Sequence, residues 1–124
     1  NGVRLLSPTT IDLMTVNHVG DLFEQAVPDR PGYGFGLGFA VLMDPGKSGH
    51  HGSPGSYGFA GAYYTTYWVD PQQQMLILLM VQLRPPRDTS LQTRFRTLAY
   101  QAIVAPPPLR GAEPAALSAC VPLK

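Results

Sequence analysis

One cysteine, Cys120, is all that this chain of 124 residues contains. A disulfide framework and a cysteine-based zinc site are therefore excluded within one chain, and a lone cysteine is compatible with either side of a membrane. Charge is also scarce, at 14% of residues against about 25% in an ordinary globular domain. Few charges mean that many groups face protein rather than water, as in a piece of something larger or in a homo-oligomer. Nine basic and eight acidic residues leave a net charge of +1. The basic residues form no run or stripe, which argues against nucleic acid and anionic membranes as partners. The longest apolar run, Met75–Val81, falls far below the ~18 residues of a spanning helix, and no charged-then-apolar leader opens the chain. The chain begins at Asn1 rather than Met, and the expectation is that an N-terminal part of the natural protein precedes it.

What is present is sheet-forming sequence. Tyr33–Met43 alternates, with Tyr33, Phe35, Leu37, Phe39, Val41 and Met43 on one side and Gly34, Gly36, Gly38, Ala40 and Leu42 on the other. This predicts one strand with a bulky face and a nearly bare face, the bare one open to another backbone or a ligand. Asp44-Pro45-Gly46 reads as a turn, and residues 47–56 as a polar, Gly-rich loop. The aromatic and β-branched residues of 57–69 predict a second strand. After a turn at Asp70-Pro71-Gln72, the apolar run 75–83 predicts a central strand buried on both faces. Short links between these strands point to an antiparallel meander.

Helices flank the strands. Ser7 as N-cap, Pro8 at the first helical position, and Ile11 with Met14 on one face predict a helix over 7–16. Residues 20–32 read as a loop with a helical turn. Thr89 or Ser90 starts a final helix to about Val104, with Leu91, Phe95, Leu98 and Ala102 at helical spacing, and Pro106-Pro107-Pro108 ends it. Residues 106–124, rich in Pro and Ala without periodicity, read as a loosely ordered tail. The fold class is thus α+β: an antiparallel sheet of three or more strands between N- and C-terminal helices, folded over residues 1–105.

Chemistry-bearing motifs are few. Gly34, Gly36 and Gly38 lack the G-x-G-x-x-G spacing and lie within a strand pattern, not at the strand-to-helix turn that a phosphate cradle needs. The glycines at every third position from Gly46 to Gly61 lack the proline content of a collagen repeat. His50 and His51 are adjacent, so on an extended chain they point apart. No Cys or carboxylate cluster joins them at ligand spacing. They read as solvated loop histidines, His18 reads as a surface or core-edge residue, and neither a metal nor a cofactor is expected. None of Ser7, Ser48, Ser53, Ser56, Ser90 and Ser118 sits in G-x-S-x-G or S-x-x-K, so the chain offers no evident nucleophile.

One block is more specific. Tyr57-Gly58-Phe59-Ala60-Gly61-Ala62-Tyr63-Tyr64-Thr65-Thr66-Tyr67-Trp68-Val69-Asp70-Pro71 resembles the aromatic-Gly-Trp-Gly-Gly-Ala segment, ending in Trp-Val-Asp-Pro, of the penicillin-recognising serine hydrolases. These comprise the class C β-lactamase-like, family VIII esterase-like enzymes and their transpeptidase and carboxypeptidase relatives. Gly2–Thr10, Gly32–Phe39, Gln82 and Phe95–Ile103 resemble the same family in order and spacing. The resemblance covers about residues 2–104.

The resemblance implies part of a β-lactamase/transpeptidase-like fold: an antiparallel sheet flanked by helices. The family works through a Ser and Lys in S-x-x-K, a Tyr-x-Asn or Ser-x-Asn motif, and a third motif on an inner strand. Only the third falls here, as Phe59-Ala60-Gly61. By that likeness the Ala62 backbone N–H is an oxyanion donor with Gly61 beside it, and Tyr57, Phe59, Ala60 and Tyr63 are substrate-binding. Phe59 stands where the family has Trp, Ala60 where it has Gly, and Tyr63-Tyr64 where it has smaller residues, so added bulk narrows the cleft or changes the substrate. The expected function is the C-terminal portion of a serine hydrolase acting on an ester, amide or β-lactam through an acyl-enzyme, with esterase or D-aminopeptidase-like chemistry favoured. This chain alone is expected to be inactive, with S-x-x-K on the missing N-terminal part or on a companion chain. The alternatives are a non-catalytic oligomerising or partner-binding fragment and a truncated product without function.

Overall fold

In the computed structural model, which describes residues 3–84 and 90–104, the first helix starts where its cap predicts. Helix α1 spans Pro8–Met14, with the Ser7 hydroxyl accepting from the Thr10 N–H at 3.1 Å. The loop expected over 20–32 contains one short helix, α2 (Leu22–Ala26).

The single strand expected over 33–43 is instead a hairpin. Strand β1 (Tyr33–Phe35) pairs antiparallel with β2 (Ala40–Leu42), Tyr33 opposite Leu42 and Phe35 opposite Ala40. The chain reverses through residues 36–39, where Gly38 takes φ +94. Glycine enters that region without steric cost, so a pattern that alternates on paper folds back on itself. The expected close approach does occur. A Cβ on Gly34 would strike the Asn17 side chain, and one on Gly36 the Met14 carbonyl.

Asp44-Pro45-Gly46 does not make a simple turn. It opens a one-turn helix, α3 (Pro45–Ser48), whose cap is the Asp44 carboxylate accepting from the Lys47 N–H at 3.0 Å. An ion pair of 2.6 Å from Lys47 to Glu24 ties α3 to α2.

Residues 57–69 also split, into β3 (Tyr57–Ala60) and β4 (Thr66–Asp70), and the apolar run supplies β5 (Met75–Leu79). The five strands form one antiparallel meander in the order β1-β2-β3-β4-β5. The α+β expectation therefore stands with more and shorter strands than the patterns suggested. Helix α4 (Leu91–Gln101) lies across the sheet. Ser90 makes no side-chain cap to it, and the helix stops at Gln101 with Ala102 as C-cap, short of the expected Val104, while Thr89 and the tail 106–124 lie outside the described residues.

Two expectations about packing are overturned. Among the described residues strand β5 lies at the edge of the sheet, not at its centre. Leu76 and Leu78 are 64% and 51% exposed, because no described element covers that face. On α4, Leu98 is 64% exposed, whereas Gln92, Arg96 and Tyr100 turn toward the sheet. These three are spaced i, i+4, i+8 and so form one stripe. The core beneath them is Tyr33, Ala40, Leu42 and Trp68, with Phe23, Phe35 and Ile77 packed against it.

Gly58 is where β3 meets β4 most closely. A Cβ there would strike the Tyr67 carbonyl and come within 2.6 Å of the Trp68 ring. Gly58→Ala is expected to lower stability by roughly 1–3 kcal/mol, the usual cost of overpacking, read as a fall in the denaturation midpoint at unchanged slope.

Candidate functional site

The third-motif residues sit on β3 and on the connection to β4. Gly61 and Thr65 close the hairpin, the Gly61 N–H donating to the Thr65 carbonyl at 2.8 Å. Inside it the Tyr64 N–H donates to the Gly61 carbonyl at 3.0 Å, and Tyr64 adopts φ +73. This is a three-residue hairpin loop, with a tight turn followed by one left-handed residue. Tyrosine in place of the usual glycine makes that last position locally strained. Ala62 lies at the second position of the turn and is exposed. No described residue accepts a hydrogen bond from its N–H.

Beside this loop, between the sheet and α4, is a cleft of about 490 Å³. Phe59 and Ala60 line it, together with Tyr33, His50, Trp68 and Arg96 among others. The structure thus brings two of the six expected site residues into the cleft. It places Gly61, Ala62 and Tyr63 on the loop at its side. Tyr57 is turned elsewhere, its ring 5.2 Å from that of Phe39. Tyr63 receives Arg84 instead, the guanidinium carbon 5.9 Å from its ring.

The cleft floor is a linked set that sequence patterns did not indicate. The Arg96 guanidinium stacks 3.9 Å over Trp68. Its Nη1 donates to the Tyr33 hydroxyl at 2.9 Å, and that hydroxyl lies 3.1 Å from His50 Nδ1. Arginine can only donate, so the Tyr33 proton is free to go to His50, which assigns Nδ1 as acceptor and leaves the proton on Nε2. Burial, then the charges of Arg96 and Arg30, hold His50 below its ordinary value. A neutral ring agrees with that assignment. His50 is therefore half-buried and hydrogen-bonded, contrary to the expectation of a solvated residue. His51 points away from it and stacks near Tyr100, with the ring centroids 6.1 Å apart.

Of the serines, Ser7 caps α1, Ser48 donates to the Pro45 carbonyl at 3.1 Å, and Ser56 is fully buried. None of these three has a histidine or lysine side chain as partner.

A buried carboxylate holds α4 in place. Asp70 is fully buried. Its Oδ2 accepts from the Ser53 N–H at 2.9 Å and the Tyr100 hydroxyl at 2.7 Å, and its Oδ1 from the Gln72 and Gln73 N–H groups at 3.1 Å. Burial pushes the Asp70 carboxyl up, but the bonds from Ser53, Tyr100 and Gln73 outweigh it and leave the group below its ordinary value. Burial and the Asp70 carboxylate together push the Tyr100 hydroxyl well up.

No family model matches the chain. Protein Rv1367c of Mycobacterium tuberculosis (strain ATCC 25618 / H37Rv) is 35% identical over 92 residues, which cover 68% of this chain and 23% of that protein. Uncharacterized protein MT1414 of strain CDC 1551 / Oshkosh aligns with the same identity and coverage. Among solved structures, EstCE1, a hydrolase with promiscuous acyltransferase activity, superposes at a TM-score of 0.68 with 27% identity, covering 79% of this chain and 25% of EstCE1. The fold is that of a β-lactamase-like hydrolase. The chain spans about a quarter of the length of each of these proteins.

The Asp70 arrangement sets an acid limit. A carboxyl with a lowered folded value contributes stability that is complete above its ordinary value of 3.8 and is lost as pH falls through the lowered one. Asp70→Asn is expected to cost about 1–3 kcal/mol at neutral pH, since its amide sets donors against donors. It is also expected to flatten the acid limb of a stability–pH curve measured by denaturant titration.

Proposed function

We propose that this chain is the C-terminal portion of a β-lactamase-like serine hydrolase, supplying the third active-site motif and one oxyanion donor but no nucleophile. The observation that carries the reading is the N–H of the exposed residue Ala62, which has no acceptor among the described residues and directly follows the small pair Ala60-Gly61 beside a cleft. A backbone N–H fixed by a hairpin costs no reorganisation when charge develops on a carbonyl oxygen. Phe59 and Ala60 then line the substrate side and Tyr63 the loop side, while Tyr57 packs its ring against Phe39. The nucleophile and its base, in S-x-x-K, belong to another part of a longer protein or to a companion chain. The reaction is acyl transfer from an ester, amide or β-lactam to that serine, then hydrolysis. The acyltransferase activity of EstCE1 supports an acyl-enzyme route, and its being a hydrolase supports ester or amide substrates.

A second reading is favoured by one observation. Leu76, Leu78 and Met80 are 64%, 51% and 72% exposed along β5 and just beyond it, next to an open sheet edge. Such a surface suits a fragment that oligomerises or captures a partner chain.

Turnover of p-nitrophenyl acetate and nitrocefin, with the intact mass recorded on the same sample, separates these ideas from a self-sufficient enzyme. No turnover by the isolated chain is expected. Turnover that survives stringent purification without a second chain would overturn the missing-nucleophile reading. In a complete protein containing this segment, Ala62→Pro removes the N–H at a turn position that accepts proline. A fall in kcat of about 100- to 1,000-fold is expected, with Ala62→Gly near wild type. Equal activity of the two variants would sink the oxyanion role.

A further inference from the structure

Arg96 is the least explained group in the fold. Its charge sits over Trp68, yet no described carboxylate pairs with it. Nη1 alone has a partner, and Nε and Nη2 are buried with none. These two nitrogens form one edge of the guanidinium, the fork that grips a planar carboxylate with two parallel bonds. A buried charge without a counter-charge is costly, so a fork held ready in this way calls for an anion from outside the described residues.

Nearby groups point the same way. A Cβ on Gly52 would lie 2.5 Å from Arg96 Nη2 and 3.0 Å from Ser56 Oγ. Gly52 is thus packed tightly against the guanidinium, which reaches its place only because no side chain stands there, and the Ser56 hydroxyl beside it is itself buried without a partner among the described residues. Arg30 and His50 add further donors along the cleft, where Asp29 is the one acidic residue among those lining it. Phe59 and Ile77 give the cleft an apolar wall.

We propose that the cleft between the sheet and α4 is a binding site for a small carboxylate that carries an apolar group. The carboxylate enters past Arg30 and the His50 Nε2–H and ends on the Nε–Nη2 edge of Arg96, while its apolar part rests on Phe59 and Ile77. The fork lies beneath the cleft surface, so engagement requires the guanidinium to turn on the Trp68 ring. A monoanion is favoured over a dianion, because among the described residues lining the cleft Arg30 and Arg96 are offset by Asp29, and His50 is held neutral. The site shares the cleft and the Phe59 wall with the proposed substrate side but uses none of the oxyanion-loop atoms, so binding of benzoate is read without any turnover and its failure is distinguishable from failure of the hydrolase reading.

Trp68 is the only tryptophan in the chain, so its fluorescence reports directly on the stacked guanidinium. Benzoate is titrated into the 124-residue protein at constant ionic strength, with benzamide as the neutral isostere and inorganic phosphate as a second anion. A saturable change with benzoate and none with benzamide is expected. R96Q is expected to raise the half-saturation concentration by about 10-fold or more, the order of two charge-assisted bonds. R96K keeps the charge without the fork and is expected to fall between R96Q and wild type, and R4Q, at an exposed position, to leave binding unchanged. Equal response to benzoate and benzamide, or saturation by phosphate but not benzoate, would overturn the proposal. Should R96Q fail to fold, the benzoate–benzamide comparison on the unmodified chain decides alone.

Discussion

The buried carboxylate of Asp70 is the constraint on which the rest of this small fold depends. It ends β4, receives two N–H groups from the turn that leads to β5, holds the loop before β3 through Ser53, and takes the Tyr100 hydroxyl from α4. A fully buried charge is tolerable only when its lone pairs are satisfied, and here four donors do so. One side chain thereby joins elements far apart in the chain, and the position of α4 follows from it.

The cleft follows from α4. With Tyr100 fixed at Asp70, Arg96 falls one helical turn away over Trp68 and Gln92 a further turn away beside Tyr64, where it donates to the Tyr64 carbonyl at 3.2 Å. The polar stripe spaces the helix from the sheet, and the gap is the cleft. An apolar stripe would have packed down onto Ile77 and closed it. Choosing polar contacts over hydrophobic burial leaves Leu98 in solvent and marks this face as more than scaffold.

The candidate site was legible only in part. The order of residues in 57–71 carried the resemblance, and the superposition on EstCE1 agrees with the fold it implied. The reversal at 61–65 was hidden, because Tyr63, Tyr64, Thr65 and Thr66 are all good strand formers and the left-handed residue is Tyr64 rather than a glycine. The Arg96–Tyr33–His50 chain was hidden for another reason: its members are 63 and 17 positions apart, and no local pattern reports a contact at that range. One signal was available, the i, i+4, i+8 spacing of Gln92, Arg96 and Tyr100, but the apolar residues of the same helix form a competing stripe.

Sequence by itself determined the α+β class, the consecutive antiparallel order of strands and the cap that starts α1, since each rests on local chemistry: alternation, short links and a serine before a proline. Only the tertiary structure decided where strands fold back, which face of α4 turns inward, and that β5 lies at an edge. Those outcomes depend on glycine backbone freedom at Gly38, on the satisfaction of one buried carboxylate, and on which surfaces find something to pack against. None of these is a property of a residue and its near neighbours alone.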